Sequence, residues 1–443
     1  MDLKNKPFQN VNLEDSKGSI WFNHLGRSRS NGPSLVDNNH LEDADFSTKA
    51  IHSGQYDDPI TGALGTPIFQ SSTFYLNENT YQAIEEGRGR DALIYSRYGN
   101  PTQWALQNKL SALENAESSI VFSSGMAAIS TTLMALLDKG SHVISSRDLY
   151  GGTYNFIYED LQKYGMEVSY VDPTDISAIE ASIQENTKML YFESLTNPLL
   201  KLIPLHDIVY LAKKYNLRIV IDNTFLTPYN LKPLDIGADI VINSATKYLN
   251  GHSDLIAGTV SGCRKLMDRI WGQMLKFGGS LDPHACFLLE RSLKTLALRM
   301  KTHNANAMQL ATWLENNERV EKVYYPGLRS YPQSNSVKKL LHNGNSGMIS
   351  FEIKGGDEAA IEFVKNVHLP KEATSLGGLE SLISLPFNTS QASLTKAQRR
   401  EIGINDGLIR LSVGVEEIND IIKDINQAFN KNKIEEPCLT TSM

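Results

Sequence analysis

The stretch LRIVIDNTFLTPYNLKPLDIGADIVINSATKYLNGHSD, residues 217–254, decides the fold. It holds two short, β-branched apolar runs, LRIVIDN (217–223) and ADIVINS (238–244), each too short for a helix and each closing on polar residues. Working upstream, KMLYFES (188–194), MEVSYVD (166–172) and SHVISS (141–146) read as further strands. Between them, PLHDIVYLAKKYN (204–216), TDISAIEASIQEN (174–186) and GTYNFIYEDLQKYG (152–165) read as helices, and FSSGMAAISTTLMALL (122–137) as a turn opening into a helix near Gly125. Downstream, AGTVSG (257–262) is another strand. Strands alternating with helices of this length predict an α/β fold, with a mostly parallel sheet covered on both faces.

The texture changes after about residue 290. Two long helical patterns, RSLKTLALRMKTHNANAMQLATWLENN (291–317) and EEINDIIKDINQAF (416–429), bracket the strands GMISFEIKG (347–355) and LIRLSVG (408–414), which suits a smaller α+β domain. Residues 1–45 are polar, rich in Asn, Ser and Gly, and show no sustained period, so they read as a flexible extension. A large domain over 101–295, a C-terminal domain over 296–430 and a polar tail over 431–443 complete the expected layout.

A length of 443 residues suits two or three domains, and 41% hydrophobic residues supply a large core. The formal charge of −7 argues against nucleic-acid binding. Cys263, Cys286 and Cys438 form no CxxC pair and no metal-ligand spacing, which reads as reduced thiols. No apolar run is long enough for a membrane span, and the N-terminus lacks a hydrophobic signal core, so the expectation is a cytoplasmic protein.

Ligands of open parallel sheets sit beyond the C-terminal strand ends. Three features fall there. Asp222 closes RIVID, where a carboxylate needs a cationic or hydrogen-bonding partner, and a protonated pyridine nitrogen would serve. Lys247 follows the next strand, where burial lowers an amine's pKa and frees it to attack carbonyls; Ser244 and Thr246 beside it add hydroxyls for a phosphate. Ser124-Gly125-Met126 opens a helix, whose free N–H groups attract phosphate. Taken singly, each has an ordinary reading: a capping Asp, a solvated Lys, an N-cap. Together they offer a phosphate site, a Schiff-base amine and a pyridinium partner. His252 and Asp254 read as a structural NGHSD turn, so no metal site is expected.

With these residues in place, the chain resembles the Cys/Met-metabolism enzymes that use pyridoxal 5′-phosphate (PLP), the group of cystathionine γ-synthase, cystathionine γ-lyase and methionine γ-lyase. The resemblance covers roughly residues 46–430 and rests on YSRYGNPT (95–102), FSSGMAA (122–128), DLYGGTY (148–154), ESLTNPLL (193–200), VIDNTF (220–225), SATKYLNGHSDLIAG (244–258), SLGGLESLISLP (375–386) and IRLSVGVE (409–416). It implies the aminotransferase-like fold of PLP enzymes, with a seven-stranded sheet and a smaller C-terminal domain. Lys247 would carry the cofactor and shuttle protons, Asp222 would keep the pyridine nitrogen protonated, and Tyr150 would stack on the ring and act as acid or base. Ser124, Gly125, Met126, Ser244 and Thr246 would hold the phosphate. Residues 46–100 would form an arm whose Tyr95 and Arg97 reach the phosphate of a neighbouring subunit, as in a homotetramer built as a dimer of dimers. Arg410 would clamp the substrate carboxylate, with Asn197 and Ser375 in support.

The implied activity is γ-elimination or γ-replacement on a sulfur amino acid. Glu380 matches an acidic position that would meet the distal amino group of cystathionine. Ile94, Asn155, Leu195 and the segment NTSQAS (388–393) depart from the family pattern on the substrate side. Methionine γ-lyase and O-acetylhomoserine sulfhydrylase activities are the alternatives within the family, and a catalytically inactive PLP-binding protein the alternative outside catalysis.

Overall fold

The computed structural model describes residues 41–431 except 57, 59, 60, 390, 391, 393 and 394. The expected extension therefore lies outside the described residues up to position 40, and the tail from 432 onward.

Seven strands make the larger sheet: β1 (Ser118–Phe122), β2 (His142–Ser146), β3 (Glu167–Val171), β4 (Thr187–Glu193), β5 (Arg218–Asp222), β6 (Ile240–Asn243) and β7 (Gly258–Gly262), in the order β1-β7-β6-β5-β4-β2-β3. β3, β2, β4, β5 and β6 run parallel, and β7 is antiparallel to both β6 and β1. Side chains alternate between faces along a strand, and here both faces are covered. Leu190, Phe192, Ile219 and Ile221 enter one buried cluster, while Met189, Tyr191, Val220 and Ile242 enter another. That two-sided burial is why these strands read as unbroken apolar runs. The helix Leu205–Tyr215 shows the complementary pattern, burying Leu205, Ile208, Val209, Leu211 and Ala212 and leaving Tyr210 exposed.

The smaller sheet joins β8 (Val320–Tyr324), β9 (Met348–Ile353), β10 (Lys371–Glu372), β11 (Leu382–Ser384) and β12 (Leu408–Ser412) in the order β10-β11-β12-β9-β8. It has its own core, where Phe351, Ile409 and Leu411 meet Phe363, Ile421, Ile425 and Phe429 of two covering helices, Gly356–Asn366 and Ile418–Lys431.

Two helical expectations are modified. The pattern over 291–317 is split into Pro283–Leu293 and Leu296–Glu315. At the break the Ser292 carbonyl accepts from the Thr295 N–H and hydroxyl and from Arg299 Nη2 (3.0 Å), whose guanidinium also donates to the carbonyls of Tyr248 and Leu249, just after Lys247. The pattern over 152–165 starts as a helix at Gly151–Asn155 and widens into a π-turn over Phe156–Leu161, with the Tyr154 and Tyr158 rings stacked at 5.5 Å.

Candidate active site

The C-terminal ends of β4, β5 and β6 open into a cavity of about 540 Å³. Its floor carries Glu193 and Asp222, the last residues of β4 and β5. One wall is the start of the helix Gly125–Leu136, another is the segment Ser244–Lys247, and the far wall comes from the smaller domain through Thr374–Leu376 and Arg410.

Ser124 caps its helix, its Oγ accepting from the Ala127 N–H at 3.0 Å. The cap uses that oxygen as an acceptor only, so this wall can offer an anion the Ser124 O–H as well as the backbone N–H groups of the helix start. Gly125 is required here: a Cβ would lie 2.9 Å from both Cβ and Oγ of Ser244. The Ser244 N–H donates to Thr224 Oγ1 at 2.8 Å, and the same hydroxyl donates to Asp222 Oδ1 at 2.6 Å. Thr246 Oγ1 bonds the main chain of Ala257 in both directions, which pins the segment leading to Lys247.

Asp222 also accepts from the Thr224 N–H at 3.0 Å, and it forms no ion pair with any described residue. Burial pushes its carboxyl above the usual range, which the Thr224 donors partly oppose. Lys247 Nζ donates to Ser375 Oγ at 2.7 Å. Burial, and then the charge of Arg410, lower its amine to about 8. Ser375 holds this position in the left-handed region at φ 81°. Arg410, in β12, is buried; Nη1 donates to Asn197 Oδ1 and Nη2 to the Ser375 carbonyl, both at 3.2 Å. Burial lowers its guanidinium to about 10. The Tyr150 ring is half exposed at the cavity, and Gly152 lies under it, where a Cβ would come within 2.7 Å of the ring.

Ser124, Gly125, Met126, Tyr150, Asn197, Asp222, Ser244, Thr246, Lys247, Ser375 and Arg410 are thus brought to one cavity. Tyr95, Arg97 and Glu380 are not among its lining residues. Tyr95 is exposed, and Arg97 donates to the Leu275 carbonyl and lies over the Tyr95 and Tyr98 rings. Glu380 accepts from the Ser253 hydroxyl. His252 and Asp254 form a local turn, bonded to the Asn250 carbonyl and the Asn250 amide respectively.

Sequence reasoning missed Glu193 and Thr224, and it marked Asn388 and Thr389 only as part of a segment that departs from the family pattern on the substrate side. Glu193 closes the apolar run KMLYFES as Asp222 closes RIVID, so the same strand-end rule would have found it. Asn388 and Thr389 sit in an irregular segment that carries no periodic signal.

A buried carboxylate without a cation, an amine drawn toward neutrality and a glycine cradle at a helix start fit a cofactor with a protonatable ring nitrogen, an aldehyde and a phosphate. The class that fold and cavity define is that of PLP-dependent enzymes with a mostly parallel seven-stranded sheet. The family model for Cys/Met metabolism PLP-dependent enzymes matches residues 47–430, and the chain belongs to that family. It is 44% identical over 389 residues to a cystathionine beta-lyase of Lactococcus lactis subsp. cremoris, covering 87% of this chain and 99% of that protein. It is 41% identical over 399 residues to an L-methionine gamma-lyase of Fusobacterium nucleatum, covering 88% and 99%. The crystal structure of cystathionine gamma-lyase from Lactobacillus plantarum complexed with L-serine matches with a TM-score of 0.81 at 39% identity, covering 87% of this chain and 98% of that one.

Proposed function

We propose that the enzyme eliminates the γ-substituent of a sulfur amino acid, with cystathionine as the foremost substrate. The observation that carries its PLP chemistry is the meeting of Lys247, Asp222 and Arg410 in one cavity, with Lys247 Nζ held by Ser375, and the choice of the γ-carbon leans on the L-methionine gamma-lyase and cystathionine gamma-lyase relatives. When bound, PLP supplies an electron sink for charge developing next to the substrate carboxylate. Lys247 and Asp222 would hold it, with the helix start at Gly125 and Ser244 around its phosphate.

Arg410 takes the α-carboxylate in a bidentate pair, and Asn197 and the Ser375 carbonyl fix the plane of the guanidinium. Lys247, at about 8, is close enough to neutrality to accept the α-proton and return it to a neighbouring carbon. Tyr150, half exposed at the cavity mouth, gives a proton to the departing sulfur. Asp222 provides a negative charge at the floor.

A second reading, β-elimination, is favoured by the name of the Lactococcus relative. The test is the keto acid released from L-cystathionine by the purified PLP-loaded protein. 2-Oxobutyrate with cysteine supports γ-elimination; pyruvate with homocysteine establishes the β reading; release from methionine but not cystathionine moves the assignment to a methionine γ-lyase.

The same reading makes the protein a cytoplasmic homotetramer in which Tyr95 and Arg97 complete a neighbour's phosphate site. Its support is the segment they lie on, which exposes Leu64, Tyr75 and Tyr81 as well as Tyr95. Light scattering of the purified protein checks the assembly.

A further inference from the structure

Glu193 has no role in the mechanism above, yet it stands where three parts of the site meet. It pairs in register with Asp222 across β4 and β5, strands that lie about 4.8 Å apart. Both residues share the sheet face of Tyr191 and Val220, both are buried, and both line the cavity. Glu193 Oε1 accepts from the Tyr150 N–H at 2.7 Å, and the carboxyl also accepts from the Asn197 N–H. One carboxyl therefore fixes the main chain under the stacking tyrosine and the main chain of the residue whose side chain receives Arg410.

We propose that Glu193 is a positioning residue that works as a neutral carboxylic acid, offering oxygen to the Tyr150 and Asn197 main chains while leaving Asp222 as the anion beneath the cofactor. The inference rests on the reading that the cavity holds PLP on Lys247.

Two adjacent buried carboxyls do not both ionise, because each charge disfavours the other in a medium that solvates neither. Each receives two donors, so the neighbouring charges decide which one stays ionised. Asp222 receives the Thr224 hydroxyl at 2.6 Å and its N–H at 3.0 Å. Glu193 feels the charges of Asp222, Asp148 and Arg410 and neighbours the Tyr191 phenol, and Asp148 is itself paired with Lys201 at 2.8 Å, which leaves Asp222 the larger influence. Burial first, and then Asp222, hold its carboxyl well above the usual range, even against the two main-chain donors. A neutral acid keeps a carbonyl oxygen that accepts those N–H bonds at far lower desolvation cost than a carboxylate.

The test uses the full-length PLP-loaded protein and two near-isosteric substitutions. Glu193→Gln keeps an accepting oxygen without a charge, whereas Glu193→Met removes the acceptor. The expected result is that Glu193→Gln binds PLP within about twofold of the parent and keeps the pH midpoint of the bound cofactor's visible absorbance, as a neutral-for-neutral exchange must. Glu193→Met is expected to weaken PLP about tenfold and to raise KM about tenfold, the scale for losing one or two buried hydrogen bonds. The proposal is overturned if Glu193→Met matches the parent in both, or if Glu193→Gln is as damaged as Glu193→Met. Should Glu193→Met fail to fold, Glu193→Gln decides alone: an unchanged midpoint supports the proposal, and a move of about one pH unit, the scale of a lost neighbouring charge, overturns it. If the parent itself shows no visible absorbance with PLP, it is the reading of the cavity that fails, before Glu193 is at issue.

Discussion

The two sides of the cavity are built differently. The side from the larger sheet is fixed by bonds among its own near neighbours: Ser124 to Ala127, Asp222 to Thr224, Thr224 to Ser244, Thr246 to Ala257. The side from the smaller sheet is fixed across the domain boundary, where Arg410 bonds Asn197 and Ser375 bonds Lys247. Beyond those two contacts its wall is irregular chain, Thr374–Leu376 and Asn388–Thr389. The lesson is a division of labour. On the proposed reading, the groups for the cofactor rest on a self-supporting strand-end frame, and those for the substrate rest on contacts that form only when the two sheets meet.

That division can be broken by experiment. Lys247 belongs to both sides, so Lys247→Ala is expected to have the largest effect. Keto-acid release should fall on the order of 10³-fold, the range for removing a positioned acid–base group, and the visible absorbance of the bound cofactor should vanish. Activity surviving this change would remove Lys247 from the chemistry. Arg410→Ala should act mainly on the substrate side, lowering kcat/KM about 100-fold, or about 3 kcal/mol for charge-assisted hydrogen bonds to a carboxylate. Equilibrium titration with PLP should show nearly unchanged affinity, and a matching loss there would erase the distinction between the two sides. Gly125→Ala should do the reverse. Its new methyl meets Ser244 at 2.9 Å, and overpacking of about 1–3 kcal/mol is expected to weaken PLP roughly tenfold while KM stays near the parent value.

Capture of PLP by the apo-protein needs the neutral amine of Lys247. Its pKa is lowered to about 8, so capture should speed up as pH rises through 8 and level off above it. Stopped-flow absorbance reads this midpoint. In Arg410→Ala the midpoint should move up, because the removed positive charge had disfavoured the protonated amine, yet stay below that of an ordinary lysine because burial is the larger cause. The smallest effect is expected at Glu380, which lies off the cavity wall against Ser253. Glu380→Ala should raise KM for cystathionine by less than about threefold, the scale of an exposed charge contact. A larger rise with cystathionine and none with methionine would give Glu380 the specificity role its motif suggested.

The cofactor side was legible in the sequence because strand-end position and residue type coincide there. Asp222 and Lys247 each interrupt an apolar pattern, and Gly125 opens a helix. The split at Lys294–Thr295 was not legible, because no Pro or Gly marks it and the guanidinium bonds that accompany it reach carbonyls some fifty residues earlier in the chain. Glu193 was overlooked although it obeys the same rule as Asp222, since a buried acid beside another acid has no attractive partner to suggest a purpose. Glu380 is a different case: its motif is legible, while the bond its carboxylate accepts from the Ser253 hydroxyl is made far along the chain and was not.

Thr224 deserves a last consequence. Its hydroxyl serves Asp222 and Ser244 at once. Because the bond to position 244 is made by its main-chain N–H, no side-chain change at 244 removes it; Thr224→Val, which keeps the shape and loses the hydroxyl, is expected to release the Asp222 carboxylate and the Ser244 main chain together and to weaken PLP more than Thr224→Ser does, as equilibrium titration would read. One side chain thus ties the end of β5 to the segment that leads to Lys247, so a change at this hydroxyl is felt in both.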